Sequence, residues 1–237
     1  MRINQAPAIQ STQLTYEEIV DRILDVLRRP GGLPQDCAPT PWNAFVKLSD
    51  LIHETYEVPS TTFTPIMRRL LFALGFAAQP RIVVGVGTYV GYTFSWLLRD
   101  RSDHESGPFC EMAIGIDVDE VANRLARRNC AAIKHGKRLT FIDGDGLTVI
   151  TELKEPIDLL YLDLDDPLTG KAGYRQVLEV ASPLLNSGAL VVAHDACVPK
   201  FAATFIAYHD YVRQCGLFSG MWILPVDSCG LSIAVVS

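Results

Sequence analysis

Beyond Pro80 the chain repeats one pattern: a short, unbroken apolar run, a break, then a stretch with helical spacing. The apolar runs fall at 81–86, 112–116, 139–142, 157–162 and 189–193, and helical stretches separate them at 92–98, 121–133 and 174–185. A strand that is apolar on both faces must be covered on both, and a parallel strand needs a crossover to return. The alternation therefore dictates an α/β fold, a parallel sheet with helices on each side. The end of the chain departs from the pattern. After a helical stretch at 201–215 come two strand-like runs, 220–225 and 231–236, joined by Val226-Asp227-Ser228-Cys229-Gly230. They predict a closing antiparallel hairpin and a mostly parallel, seven-stranded sheet.

The first 75 residues hold only helical signals. Thr15 and Glu18 are spaced as a capping box, with Ile19, Val20, Ile23, Leu24 and Leu27 on one face, and Pro30-Gly31-Gly32 ends that helix. A second helix starts at Thr40-Pro41 and carries Phe45, Leu48, Leu51, Ile52 and Tyr56; a third runs from Thr64-Pro65 to a stop at Gly75. Residues 1–75 thus read as a helical cap or lid and 76–237 as the catalytic domain, a division that a chain of 237 residues, 49% hydrophobic and 20% charged, has the apolar material to support. Met1 to Gln13 show no periodicity and are expected to be disordered.

A net charge of −6 with no basic face excludes nucleic acid as the main partner. No apolar run is long enough to span a membrane, and no basic-then-apolar leader opens the chain. The six cysteines (Cys37, Cys110, Cys130, Cys197, Cys215, Cys229) form no CxxC pair or zinc-type cluster. The expectation is a cytoplasmic protein with reduced thiols, acting on a small molecule.

The segment Val86-Gly87-Thr88-Tyr89-Val90-Gly91-Tyr92-Thr93 follows the first strand and opens a helix. Glycines there let the backbone approach a ligand closely, and the helix N-terminus favours polar or anionic groups. Gly85, Gly87 and Gly91 fit a nucleotide-binding loop and equally a tight turn with no ligand. Gly115-Ile116-Asp117 ends the second strand, where a carboxylate can accept both ribose hydroxyl protons of an adenosine, and Asp143-Gly144-Asp145 ends the third. Each Asp would also serve as a helix cap. Three such features at successive strand ends point to a nucleoside cofactor.

On these residues the chain, from about Pro65 onward, resembles the small-molecule O-methyltransferases of the catechol and caffeoyl-coenzyme-A type, within the class I S-adenosylmethionine (SAM)-dependent superfamily. The matching stretches are 87–93, 115–117, 141–147, Tyr161-Leu162-Asp163, 185–192 followed by Asp195, and Leu224-Pro225 to Gly230-Leu231-Ser232. The resemblance implies a Rossmann-like class I methyltransferase fold, SAM as cofactor and a homodimer. It implies that Gly87, Thr88, Tyr89 and Gly91 lie along the methionine part of the cofactor, with Gly85 a further candidate position of the cofactor site. Asp117 with Val118 would hold the ribose, Gly144 and Asp145 would hold the adenine edge, and Asp163 would sit below the sulfonium. Asp163, His194 and Tyr92 become the candidate catalytic residues.

The chain leaves the family's pattern at four places. Relatives carry an acid two positions before the first loop glycine, holding the ammonium of the methionine moiety; here that position is Gly85. Metal-dependent members follow their first Asp, here Asp163, with an Asp-Asn pair that reads Asp195-Ala196 here. A Lys three residues after the first Asp is replaced by Asp166. An insertion between Asp166 and Tyr174 carries Pro167 and Gly170. Asp163, Asp165, Asp166 and Asp195 could still collect magnesium, but losing the Asn and the Lys together favours chemistry without a metal. His194 is then the candidate base, because an imidazole titrates near neutrality; a buried His bonded to backbone is its plain alternative.

Gly85 also suggests a second reaction. Without the acid, the methionine amine is easier to deprotonate, and its own γ-carbon is attached to the sulfonium. Attack there closes a four-membered ring and gives azetidine-2-carboxylate and methylthioadenosine. Bacterial azetidine-2-carboxylate synthases are SAM cyclases on this scaffold, and the chain is similar to them in outline. An NAD(P)-linked oxidoreductase is opposed by the C-terminal hairpin and Tyr161-Leu162-Asp163; a non-catalytic SAM-binding protein is a fourth class. Trp42, Phe45, Tyr56 and Phe63 are available over the cofactor mouth, where an aromatic face attracts a sulfonium, or as plain core; Pro59-Ser60-Thr61-Thr62 is a polar segment that lines the site or links helices.

Overall fold

A computed structural model describes residues 14–59, 63–98, 110–133 and 138–237. The readings on Met1 to Gln13 and on Ser60, Thr61 and Thr62 fall outside the described residues, Gln13 included. Three helices come first: α1 (Tyr16–Leu27), α2 (Trp42–Thr55) and α3 (Pro65–Ala78). Then strands and helices alternate: β1 (Ile82–Val86), α4 (Tyr92–Leu97), β2 (Met112–Asp117), α5 (Glu120–Cys130), β3 (Arg138–Asp143), α6 (Gly146–Glu152), β4 (Ile157–Leu162), α7 (Gly173–Ala181), β5 (Leu185–His194) and α8 (Ala202–Gln214). The chain closes with β6 (Phe218–Leu224) and β7 (Leu231–Val236).

The sheet order is β3-β2-β1-β4-β5-β7-β6. The first five strands are parallel, and β7 runs antiparallel to both β5 and β6. The unbroken apolar runs follow from burial on both faces. Val83, Leu159, Tyr161, Leu190 and Val192 join one core, while Val84, Val86, Leu160, Leu162, Val191 and Ala193 join the other. Helices α1, α2 and α3 share the first core with the sheet, through Leu24, Phe45 and Leu71, and α7 and α8 cover the second through Val177 and Phe205. The chain winds outward from β1 to β3, then returns to the other side of β1 at β4. That reversal leaves a crevice at the carboxyl ends of β1 and β4, where open α/β sheets bind ligands.

Local chemistry accounts for most boundaries. Thr15 and Glu18 form the expected capping box, worth about 1 kcal/mol to α1, and Thr64 caps α3 ahead of Pro65. Gly75 does not stop α3, which continues to Ala78 and ends at Gln79 in the left-handed region (φ 48°). A Cβ on Gly75 would run into the backbone of Leu97, so this glycine marks the close crossing of α3 and α4. Helix α7 is shorter than its apolar pattern, because Ser182–Leu184 tightens into a 3₁₀ turn, and β5 starts at Leu185. Helix α6 had no periodic signal long enough to announce it.

Candidate active site

The carboxyl ends of β1 to β5 bring the sequence motifs to one edge. After β1 the backbone turns sharply: Gly87, Tyr89 and Gly91 have φ of 80°, 47° and 79°. A Cβ on Gly87 would meet the backbone of Asp163 and Leu164, so glycine lets the loop lie directly on the end of β4. Asp117, ending β2, holds the loop from the other side: its Oδ2 accepts from Tyr89 N at 2.7 Å and its Oδ1 from Asp119 N at 3.0 Å. Buried Asn123, which sequence reading passed over, ties β2 to β3 by donating to the carbonyls of Asp117 and Ile142 at 3.0 and 3.1 Å. Asp145 caps α6, accepting from Thr148 N at 2.9 Å; that cap was the sign by which α6 could have been found.

Two clefts meet at this edge. One, of about 340 Å³, is lined by Ile116, Asp117, Val118, Gly144, Asp145 and the 164–167 segment. The other, of about 530 Å³, is lined by Phe63, Tyr92, Lys171, His194, Asp195 and Phe201 among others. Gly87, Tyr89, Asp163 and Asp165 line both and form the passage between them. Of the predicted site residues, Asp117, Val118, Gly144 and Asp145 share the smaller cleft, while Thr88, Tyr92 and His194 share the larger. Gly85 and Gly91 line neither. Gly91 is the left-handed N-cap of α4. A Cβ on Gly85 would lie 2.8 Å from the Phe94 ring and 2.7 Å from the Thr88 methyl, so that ring fills the room of a side chain at this position. Of the four N-terminal aromatics, Phe63 alone faces the clefts. Trp42 and Phe45 pack with Phe72, Phe45 also stacks with Trp96, and the Tyr56 hydroxyl bonds Ser95 Oγ at 2.8 Å.

The floor of the larger cleft is a network of alternating charge. Asp163 Oδ1 is 3.0 Å from Lys171 Nζ and 3.2 Å from His194 Nδ1, and its Oδ2 accepts from the Tyr161 hydroxyl at 2.8 Å. Asp195, at φ 65°, places Oδ2 at 3.0 Å from Lys171 Nζ and Oδ1 at 3.3 Å from His194 Nδ1. Phe63 stacks on the His194 ring with centroids 4.7 Å apart. Burial alone would push His194 down, yet Asp163, with help from the Cys229 side chain and Asp195, outweighs it and holds its pKa up at about 10. Burial would likewise raise Asp163, but His194 and Lys171 hold it below the usual carboxylate range. Lys171 is raised for the mirror-image reason: Asp163 and Asp195 overcome its burial. The raised pKa favours the protonated ring, whose Nδ1 donates to Asp163, and runs against the near-neutral base expected from the sequence.

Lys171 is the residue that sequence reading missed. Asp166, in the place of the family's Lys, serves a turn: its Oδ1 accepts from Leu168 N, Thr169 N and Thr169 Oγ1 at 2.9, 2.7 and 3.0 Å. Asp166 and Gly170 then exchange backbone hydrogen bonds, and the insertion folds back so that Lys171 enters from below. The acids once considered for magnesium divide accordingly. Asp163 and Asp195 are paired to Lys171, Asp166 belongs to its turn, and Asp165 lines both clefts. Between Asp163 and Asp195 lies the Lys171 ammonium, 3.0 Å from a carboxylate oxygen of each.

A doubly covered sheet ending in an antiparallel pair, with a cleft at its switch point, is the Rossmann-like fold seen in methyltransferase structures. Residues 84–196, just under half of the 237-residue chain, match the family model described as a methyltransferase domain, and over that stretch the chain is similar to that family. Among solved structures it is similar to the O-methyltransferase of Bacillus cereus in complex with SAH, with a TM-score of 0.64 at 18% identity over 92% of this chain and 97% of that one. It is also similar to the O-methyltransferase of Streptomyces achromogenes involved in tomaymycin synthesis, in complex with SAM, with a TM-score of 0.59 at 18% identity over 95% and 100%. Among curated proteins, a polyamine aminopropyltransferase of Saccharolobus islandicus (strain Y.N.15.51 / Yellowstone #2) is 28% identical over 150 residues, 60% of this chain and 47% of the relative. The chain spans about half the length of the curated relatives it matches first. Among the described residues no helix is long and apolar enough to cross a membrane.

Proposed function

We propose that the protein transfers the methyl group of SAM to a small molecule without a metal ion, in the manner of secondary metabolism. The observation that carries this is the pair of clefts joined at Asp163, one sized for a nucleoside and one open for a second reactant. In this reading Asp117 accepts the ribose hydroxyls, Val118, Gly144 and Asp145 border the adenine, and Gly87 to Tyr89 follow the methionine chain. Bound there, SAM supplies an electrophilic methyl group on a sulfonium. Asp163 and Asp165, lining the passage, face that positive charge, and Asp165 is free of partners among the described residues. Phe63, Tyr92 and Phe201 wall the acceptor side, where alignment with the methyl carbon lowers the barrier. His194 and Lys171 hold the carboxylates in place and take no proton from the acceptor, so the acceptor must arrive as a competent nucleophile. Helices α1 to α3 act as the cap, with Phe63 at the mouth, on a cytoplasmic homodimer whose state size-exclusion chromatography tests.

Attack of the SAM amine on its own γ-carbon is the second reading. Two observations favour it: Phe94 fills the space that a side chain at Gly85 would need, so no acid stands at that position, and several curated relatives are named aminopropyltransferases rather than methyltransferases. The nitrogen–carbon bond forms, the carbon–sulfur bond breaks, and the ammonium proton leaves to solvent, giving azetidine-2-carboxylate and methylthioadenosine. Incubation with SAM alone, in the presence of a chelator and followed by mass spectrometry, separates the two. Methyl transfer predicts intact SAM until an acceptor is added and S-adenosylhomocysteine afterwards. Methylthioadenosine with an equal amount of the four-membered amino acid would replace the first reading by the second.

A further inference from the structure

Lys171 lies where the sheet ends of β4 and β5 hold two carboxylates toward each other. Its side chain is 2% exposed, and each of its three N–H donors has an acceptor: Asp163 Oδ1 at 3.0 Å, Asp195 Oδ2 at 3.0 Å and the Asp163 carbonyl at 3.3 Å. Aromatic rings close the rest of the cage, Tyr174 at 5.4 Å and Phe201 at 5.7 Å from Nζ to their centroids. The cage is built by the insertion. Gly170, at φ 59°, turns the chain beneath Phe201, whose ring lies 2.9 Å from where a Cβ would stand. An ammonium with all donors used is a fixed counter-ion rather than a proton carrier.

We propose that the Lys171 ammonium takes the place that a divalent cation would need between the Asp163 and Asp195 carboxylates, so that this site excludes metal ions. A hard cation needs about six oxygen ligands at close range. Here three of the four carboxylate oxygens of Asp163 and Asp195 already receive a donor from Lys171, His194 or Tyr161, and the fourth, Asp195 Oδ1, lies 3.3 Å from His194 Nδ1. An entering ion would stand beside two fixed positive charges. The chain position after Asp195 is Ala196, which offers no further ligand. For a softer ion, the one trio of sufficiently close ligand atoms among the described residues is His194, Asp195 and Cys229, within 4.8 Å. Two of its members are already held in the Lys171 network.

This inference bears on the methyl-transfer reading but does not depend on it, since ion binding is read directly and not through turnover. The whole chain is titrated with Mn²⁺, followed by electron paramagnetic resonance of the free ion, and with Mg²⁺ and Zn²⁺ by calorimetry. The expected result is no saturable binding by the wild type in millimolar ion. Lys171→Ala, which opens the cage and leaves both carboxylates, is expected to gain Mn²⁺ binding at least tenfold tighter than wild type, with a Tm that Mn²⁺ raises. Adding Asp195→Asn to Lys171→Ala should abolish that gain. Stoichiometric binding of any of the three ions by the wild type, lost in Asp195→Asn, overturns the proposal, as does a folded Lys171→Ala that binds none. Lys171→Gln provides a closer-fitting second variant. If neither folds, the wild-type titration alone decides.

Discussion

The two clefts on one sheet edge are held by different physics. Around the smaller one, backbone geometry and hydrogen bonds to the backbone do the positioning: glycine turns, Asn123 across two strand ends, Asp117 accepting from amides. Beneath the larger one, four charged side chains hold one another in a desolvated network, with Lys171 and His194 almost fully buried. A site of the first kind keeps its donors and acceptors partly free for a ligand. A network of the second kind has spent them on itself, and its contribution is a fixed field and a fixed shape.

The contrast is sharpest in what mutation should do. Lys171→Met leaves two buried carboxylates without their shared cation, and breaking a buried ion pair from one side costs about 3–5 kcal/mol; chemical denaturation should show that loss. Asp117→Ala should leave stability much less changed and weaken SAM binding by about 2–3 kcal/mol, roughly a hundredfold, through the charged acceptor of the ribose hydroxyls. Equal effects of both variants on stability would erase the distinction between the clefts.

The pH dependence offers a finer cut. His194 is raised from 6.5 to about 10 by folding, so its contribution to stability is full below pH 6.5 and is lost as pH rises through about 10. Wild-type stability should therefore fall over that window, and His194→Gln should flatten the fall. Asp163, held below its ordinary range, adds the opposite limb: its contribution is present above about pH 4 and lost on further acidification. An unchanged slope in His194→Gln would mean that the imidazole is not in the ion pair. The smallest expected effect is at the other cleft: Asp145→Ala removes the α6 cap and should cost about 1 kcal/mol, seen as a lower denaturation midpoint.

The smaller cleft was the legible one. Runs such as Ile157–Leu162 identify buried strands by themselves, and an Asp directly after a strand carries its position with it. Asp117, Gly87 and Asp145 could thus be placed from the sequence, as could the closing hairpin. Lys171 could not. It reaches Asp163 across a folded insertion, and neither periodicity nor spacing encodes how far a loop doubles back; Pro167 and Gly170 announced only that there was a loop. His194 was placed correctly at a strand end, but its protonation depends on two carboxylates, one of them 31 residues away. Gly75 misled because a glycine chosen for a close helix crossing reads, in sequence, like one that ends a helix.

Calorimetric titration of SAM into the wild-type protein and into Asp117→Ala, both in excess chelator, tests the central claim most directly. The account predicts saturable binding by the wild type without any divalent ion, weakened about a hundredfold in the variant. Binding that requires an added metal, or an affinity unchanged by Asp117→Ala, would contradict it.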